Sequence, residues 1–174
     1  MSTERSGLMK IGGVDVTIVG DDLEVGDTAP DFLAQANDWS LTRGLGDTPG
    51  KVRILAALPS LETSVCDEET RRFNTEAAGL SPDIVVEAIS TDLPYTQKKW
   101  CAAAGIDRVI TLSDHLNAEF GLKYAVLVKE RRMFRRAVFV VDRNDKIVYA
   151  AYMPELGNRP DYDAVLNAAR QAAQ

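Results

Sequence analysis

The sequence predicts an α/β fold, a mixed central sheet flanked by helices with a β-hairpin at the N-terminus. Three observations carry this. Short apolar runs alternate with segments of helical period, two such runs near the C-terminus are joined by a polar turn, and the first apolar residues alternate strictly with polar ones. Alternation of strand and helix demands parallel neighbours, and the late hairpin adds an antiparallel pair.

Gly13 to Leu23 alternates across Val14, Val16 and Ile18 and turns at Gly20-Asp21-Asp22, which reads as the N-terminal hairpin with Asp21-Asp22 in a solvated turn. Val25 to Phe32 carries turn residues and reads as a loop, and the polar stretch from Asn37 to Gly50 leads to Lys51–Leu58, a buried strand that stops at Pro59. The period then changes. Phe73, Ala77 and Leu80 fall at i, i+4 and i+7, which predicts an amphipathic helix from Cys66 to about Gly79. Ile84–Ile89 is a second strand, Tyr95–Ala104 a helix closed by Gly105, and Val109–Leu112 a third strand. A short helical piece at Asn117–Phe120 precedes the basic stretch Lys129–Arg136. Ala137–Val141 and Ile147–Ala151 then form a hairpin around Asp142–Lys146, and Asp161–Ala173 closes the chain as a helix. This order is that of a thioredoxin-like fold. It is expected as a single domain over residues 9–174, with residues 1–8 an N-terminal extension.

Composition narrows the function. A formal net charge of −6 and a pI near 4.9 leave no basic stripe for a phosphate backbone, so nucleic acid is not an expected partner. No apolar run approaches the roughly 20 residues that span a bilayer, and MSTERSGLMK lacks the apolar stretch of a signal peptide. No membrane partner is expected, and the expected location is cytoplasmic. Two cysteines and His115 as the only histidine are too few for a structural zinc site, and neither a metal nor a cofactor is expected.

The chemistry centres on Pro59-Ser-Leu-Glu-Thr63-Ser-Val-Cys66, which places a cysteine where a buried strand meets a helix. A helix N-terminus presents unpaired N–H groups and partial positive charge, which favours thiolate over thiol, and the thiolate is the nucleophile. A thiolate at work needs fixed donors for the negative charge that develops in its reaction, and backbone N–H groups with an arginine supply them. Thr63, one turn before Cys66, can donate to or accept from sulfur and a bound substrate alike, and Pro59 would shield the pocket from water. An isolated T-x-x-C would read instead as a capped helix with a packed cysteine.

The full P-x-x-x-T-x-x-C resembles the peroxiredoxin superfamily, and within it the bacterial thiol peroxidases. The resemblance runs through Val25-Gly-Asp-Thr-Ala-Pro-Asp-Phe32, Arg72-Phe-Asn74, Ser90-Thr-Asp-Leu-Pro94, Cys101, Thr111-Leu-Ser-Asp114, Arg136-Ala-Val138 and Pro160-Asp-Tyr162. It implies that Cys66 is the peroxidatic cysteine, oxidised to a sulfenic acid. Thr63 and an arginine before the Ala137 strand would orient the peroxide. Arg136 matches best, Arg135 is its rival, and strand alternation lets only one of them face the pocket. Cys101, on the helix after Ser90-Thr-Asp-Leu-Pro94, is implied as the resolving cysteine that forms an intramolecular disulfide with Cys66.

The same resemblance implies reduction of hydrogen peroxide and organic hydroperoxides, recycling by thioredoxin or a similar dithiol, and a homodimer. Each cysteine sits on its own helix, so disulfide formation is expected to unwind part of both. Asp67-Glu68-Glu69 departs from the family's small or uncharged residues. It reads as three solvated carboxylates that complement the helix dipole while opposing the thiolate. Trp100 is expected to pack in the core, and His115 to lie at the surface or cap a helix. General thiol–disulfide exchange is the weaker enzymatic reading, because Cys66-Asp-Glu-Glu69 has no second cysteine, and a redox-sensing module is a third.

Overall fold

The structure is a computed structural model that describes residues 2–174. The chain begins with strands β1 (Glu4–Ile11) and β2 (Val14–Val19), followed by β3 (Leu33–Gln35), β4 (Leu41–Arg43) and β5 (Val52–Ala57). Helix α1 (Ser64–Ala77), β6 (Ile84–Ser90), α2 (Pro94–Ala104), β7 (Ile110–Ser113) and α3 (Glu119–Lys123) come next. Two short strands, β8 (Leu127–Val128) and β9 (Met133–Phe134), lead to β10 (Ala137–Val141), β11 (Ile147–Tyr152) and α4 (Tyr162–Ala172).

A seven-stranded sheet has the order β11-β10-β5-β6-β7-β3-β4. Pairs β5·β6 and β6·β7 are parallel, and β10 is antiparallel to both β5 and β11. This is the mixed thioredoxin-like sheet expected from the sequence. Every residue of β5 is buried, as a strand covered on both faces must be. One face packs Ile54, Ala56, Val86, Val138 and Val140 under α1, α2 and α4. The other packs Leu55, Ile89, Phe139 and Val141 against the Phe32, Phe120 and Tyr124 cluster. Among the described residues no helix is long and apolar enough to cross a membrane.

The N-terminal hairpin lies earlier than its alternation indicated. Strand β1 pairs with β2 through a two-residue turn at Gly12-Gly13, both with positive φ, and not through Gly20-Asp21-Asp22. Strand β1 carries no alternating signal, because only Met9 is buried in its polar run and Gly7 sits where the register shifts. Residues Glu4–Leu8 are thus part of a sheet of order β1-β2-β8-β9. The basic stretch after Val128 divides into an exposed turn through Arg132, at φ 53°, and strand β9, which draws Arg135 and Arg136 inward. Helix α3 begins later than Asn117, because Ala118 has a left-handed φ of 53°.

Candidate active site

Strand register delivers the site. Ala137 pairs with Ala57, so Arg136 lies one step beyond the pair, beside the exit of β5 into Leu58 and Pro59. Arg136 shares a face with Val138 and Val140, which pack in the cluster that contains Cys66. Arg135 points to the opposite face, where it donates to Asp22 and to the Ala125 carbonyl at 2.9 Å and lies over the Tyr152 ring. The rivalry between the two arginines is therefore resolved by alternation, with Arg136 on the Cys66 side.

Cys66 occupies the third position of α1 and is 0% exposed. Arg136 Nη2 donates to its Sγ at 3.2 Å. The guanidinium also donates through Nη1 to Glu69, and through Nε and Nη2 to the Leu156 carbonyl at 3.3 and 3.1 Å. Burial opposes the arginine's charge, yet the charges of Glu69 and Cys66 hold its pKa above the ordinary value. Thr63 is the helix N-cap residue, but its hydroxyl donates to the Ser60 carbonyl at 3.0 Å and makes no capping bond. The hydroxyl is thus not consumed by the helix. Pro59, Thr63 and Val65 line a pocket of about 220 Å³ with Met133 and Leu156, at the first turn of α1.

The three acids after Cys66 do not share one fate. Asp67 accepts from Arg71 at 2.9 Å and from Trp100 Nε1 at 3.1 Å, and Glu68 pairs with Arg159 at 2.7 Å. Glu69 departs from the solvated reading altogether. It is 0% exposed, pairs with Arg136, and leaves Oε1 without a partner. Burial pushes its pKa up to about 7 against the pull of Arg136. A signal for it existed in the sequence. Cys66, Glu69, Thr70 and Phe73 form the inward stripe of α1, and an acid inside such a stripe requires a buried partner.

Cys101 lies apart, half-buried on α2, and both cysteines are free thiols. Trp100 is buried beside it and bonded to Asp67, while His115 bonds Gln35 at 2.6 Å at the surface end of β3. The structure thus brings Pro59, Thr63, Cys66 and Arg136 together and leaves Cys101 on the neighbouring helix.

A buried thiol at a strand-to-helix junction, addressed by a guanidinium, defines a thiol-based redox enzyme on a thioredoxin-like scaffold. A family model described as Redoxin matches residues 24–166. The chain is 55% identical to the thiol peroxidase of Oceanobacillus iheyensis over 152 residues, 87% of this chain and 92% of that one. It is 49% identical to the thiol peroxidase of Bacillus subtilis over 158 residues, 91% and 93% of the two chains. Among solved structures, a peroxiredoxin-like protein from Aquifex aeolicus superposes with a TM-score of 0.87 at 33% identity, covering 98% of both chains. The chain belongs to the redoxin family and, within it, to the thiol peroxidases.

Proposed function

We propose that this enzyme reduces hydroperoxides through Cys66 and is recycled by a dithiol protein such as thioredoxin. The observation that carries the reading is the 3.2 Å contact between Arg136 and the buried Cys66 sulfur at the first turn of α1. The thiolate attacks the terminal peroxide oxygen, an S–O bond forms, the O–O bond breaks, and the departing alkoxide or hydroxide takes up a proton. Arg136 and the free amides of the α1 first turn meet the negative charge on sulfur and oxygen, and Thr63 orients the peroxide within the pocket. Pro59 keeps water from the sulfur.

Cys101 then condenses with the Cys66 sulfenic acid before a second peroxide carries it to the irreversible sulfinic state. The resulting disulfide is reduced by the external dithiol. Hydrogen peroxide and organic hydroperoxides both fit, the apolar rim of Val65, Met133 and Leu156 favouring alkyl substituents. One domain carries the activity, the functional unit is a homodimer, and a sequence with only two cysteines fits a reducing compartment, here the cytoplasm.

Peroxide-dependent turnover with thioredoxin in the parent protein, Cys66→Ser and Cys101→Ser tests the scheme. No turnover is expected without Cys66. Without Cys101, one reduced equivalent is followed by stalling or overoxidation. Full activity in Cys66→Ser would falsify the assignment.

A further inference from the structure

The resolving sulfur is tethered in the reduced fold. Cys101 Sγ lies 3.4 Å from Thr111 Oγ1, and Thr111 Oγ1 donates to Asn37 Oδ1 at 3.0 Å. Thr111 is buried on β7, and Asn37 lies in the turn that joins β3 to β4. A hydroxyl has a single proton. With that proton directed to Asn37, only the lone pairs of Thr111 face the sulfur, so the contact uses the S–H of Cys101 as donor. The same turn also touches α2 directly. Trp39, held at a left-handed φ of 70°, sets its ring edge-on to Tyr95 in the first turn of that helix, centroids 5.0 Å apart.

We propose that Asn37 and Thr111 are positioning residues for resolution, holding the Cys101 thiol against β7 and so setting the rate of disulfide formation while leaving the peroxide step alone. The inference rests on Cys101 being the resolving cysteine. In that step the Cys101 sulfur attacks the Cys66 sulfenic sulfur, an S–S bond forms and the Cys66 S–O bond breaks. Hydroxide leaves with the Cys101 proton as water, so the Cys66 sulfur is reduced and the Cys101 sulfur oxidised. Before any of this, the S–H must leave Thr111, and whatever holds it there slows the step.

Thr111→Val keeps the shape of the side chain and removes the hydroxyl. After a pulse of hydrogen peroxide, rapid quench and mass mapping are expected to show the Cys66–Cys101 disulfide forming about two- to fivefold faster, the worth of one weak neutral hydrogen bond. The preceding oxidation of Cys66 keeps its parent rate. Asn37→Ala removes the acceptor that fixes the Thr111 hydroxyl, so its lone pairs are no longer held toward the S–H, and resolution shifts in the same direction. Thr111→Ser restores the hydroxyl and returns the parent rate, a rescue that a packing defect would not show.

A readout independent of turnover is alkylation of Cys101 by iodoacetamide in Cys66→Ser, which Thr111→Val and Asn37→Ala accelerate. Resolution that is unchanged or slower in Thr111→Val overturns the proposal. A parent protein that forms no Cys66–Cys101 disulfide removes the resolving role itself, an outcome distinct from a disulfide that forms at a rate indifferent to Thr111.

Discussion

Arg136→Met removes the guanidinium while keeping an unbranched stem in place. The variant loses the donor 3.2 Å from Sγ, the counter-charge of Glu69 and both bonds to the Leu156 carbonyl. Removing one preorganised donor to developing negative charge costs on the order of 10²–10³ in rate, so kcat/KM for peroxide should fall by that factor. Stability falls by about 3–5 kcal/mol, because Glu69 then stands buried with neither oxygen partnered. Since burial already lifts its pKa to about 7, Glu69 escapes part of this cost by taking up a proton. A raised carboxyl pKa gives a contribution present below the unfolded value and lost as pH rises, so the deficit of the variant is larger at pH 8 than at pH 5.5. Adding Glu69→Leu removes the stranded acid and should recover most of the stability without restoring the rate. Urea unfolding at both pH values and stopped-flow peroxide kinetics separate the two effects. Recovery of the double variant to within tenfold of the parent rate would show that Arg136 acts only through the fold, and parent stability of Arg136→Met at pH 8 would refute the buried pair.

Glu87, buried on β6 with Oε2 unpartnered, has a pKa pushed up to about 8 by burial, the charge of Arg53 pulling it down and Asp31 and Asp47 adding to the rise. The folded state binds its proton more tightly, so the associated stability is whole below about pH 4.5 and is lost as pH rises through about 8. Glu87→Gln should flatten the fall of the urea midpoint between pH 5 and pH 8.5, and a slope equal to the parent's would contradict this. Disulfide formation has to unwind the turns that carry Cys66 and Cys101, on helices that are tied together by Trp100 to Asp67 at 3.1 Å and by Arg71 to the Ala104 carbonyl at 3.1 Å. Hydrogen exchange in the peroxide-treated protein should show lower protection in the first turn of α1 and around Cys101. Equal protection in both redox states would count against unwinding.

The central elements were legible because their signals are local. Strand β5 is an apolar run ended by Pro59, α1 follows with its apolar stripe, and the Asp142–Lys146 turn announces β10 and β11. Strands β3, β4, β8 and β9 were not legible, since runs of two or three residues take their pairing from neighbours and carry no period of their own. At the site, the P-x-x-x-T-x-x-C spacing pointed to Pro59, Thr63 and Cys66, whereas the role of Glu69 depends on a residue 67 positions away that only the tertiary fold supplies. The same holds for the contact between Cys101 and Thr111, two residues on adjacent elements whose facing sides no linear pattern encodes.

The two adjacent arginines also explain how the register that places Arg136 is secured. A slip of one residue in β10 would turn its side chains to opposite faces, bringing Arg135 toward Cys66 and Phe134 toward Asp22. Asp22 resists this. It follows β2 and bonds both Arg5 and Arg135, whose hydrogen bonds and charges outweigh the opposing effect of burial and hold its pKa below the usual carboxylate value. In the slipped register Asp22 would face an aromatic ring, and the 5%-exposed Arg135 would lose both Asp22 and the Ala125 carbonyl. Glu69 resists the opposite slip, which would bring Ala137 to the Cys66 side and leave its buried carboxylate without a cation. Two carboxylates facing opposite sides of one short strand thereby fix which guanidinium reaches the sulfur, and the N-terminal hairpin, whose Arg5 also bonds Asp22, contributes to the geometry of the Cys66 site.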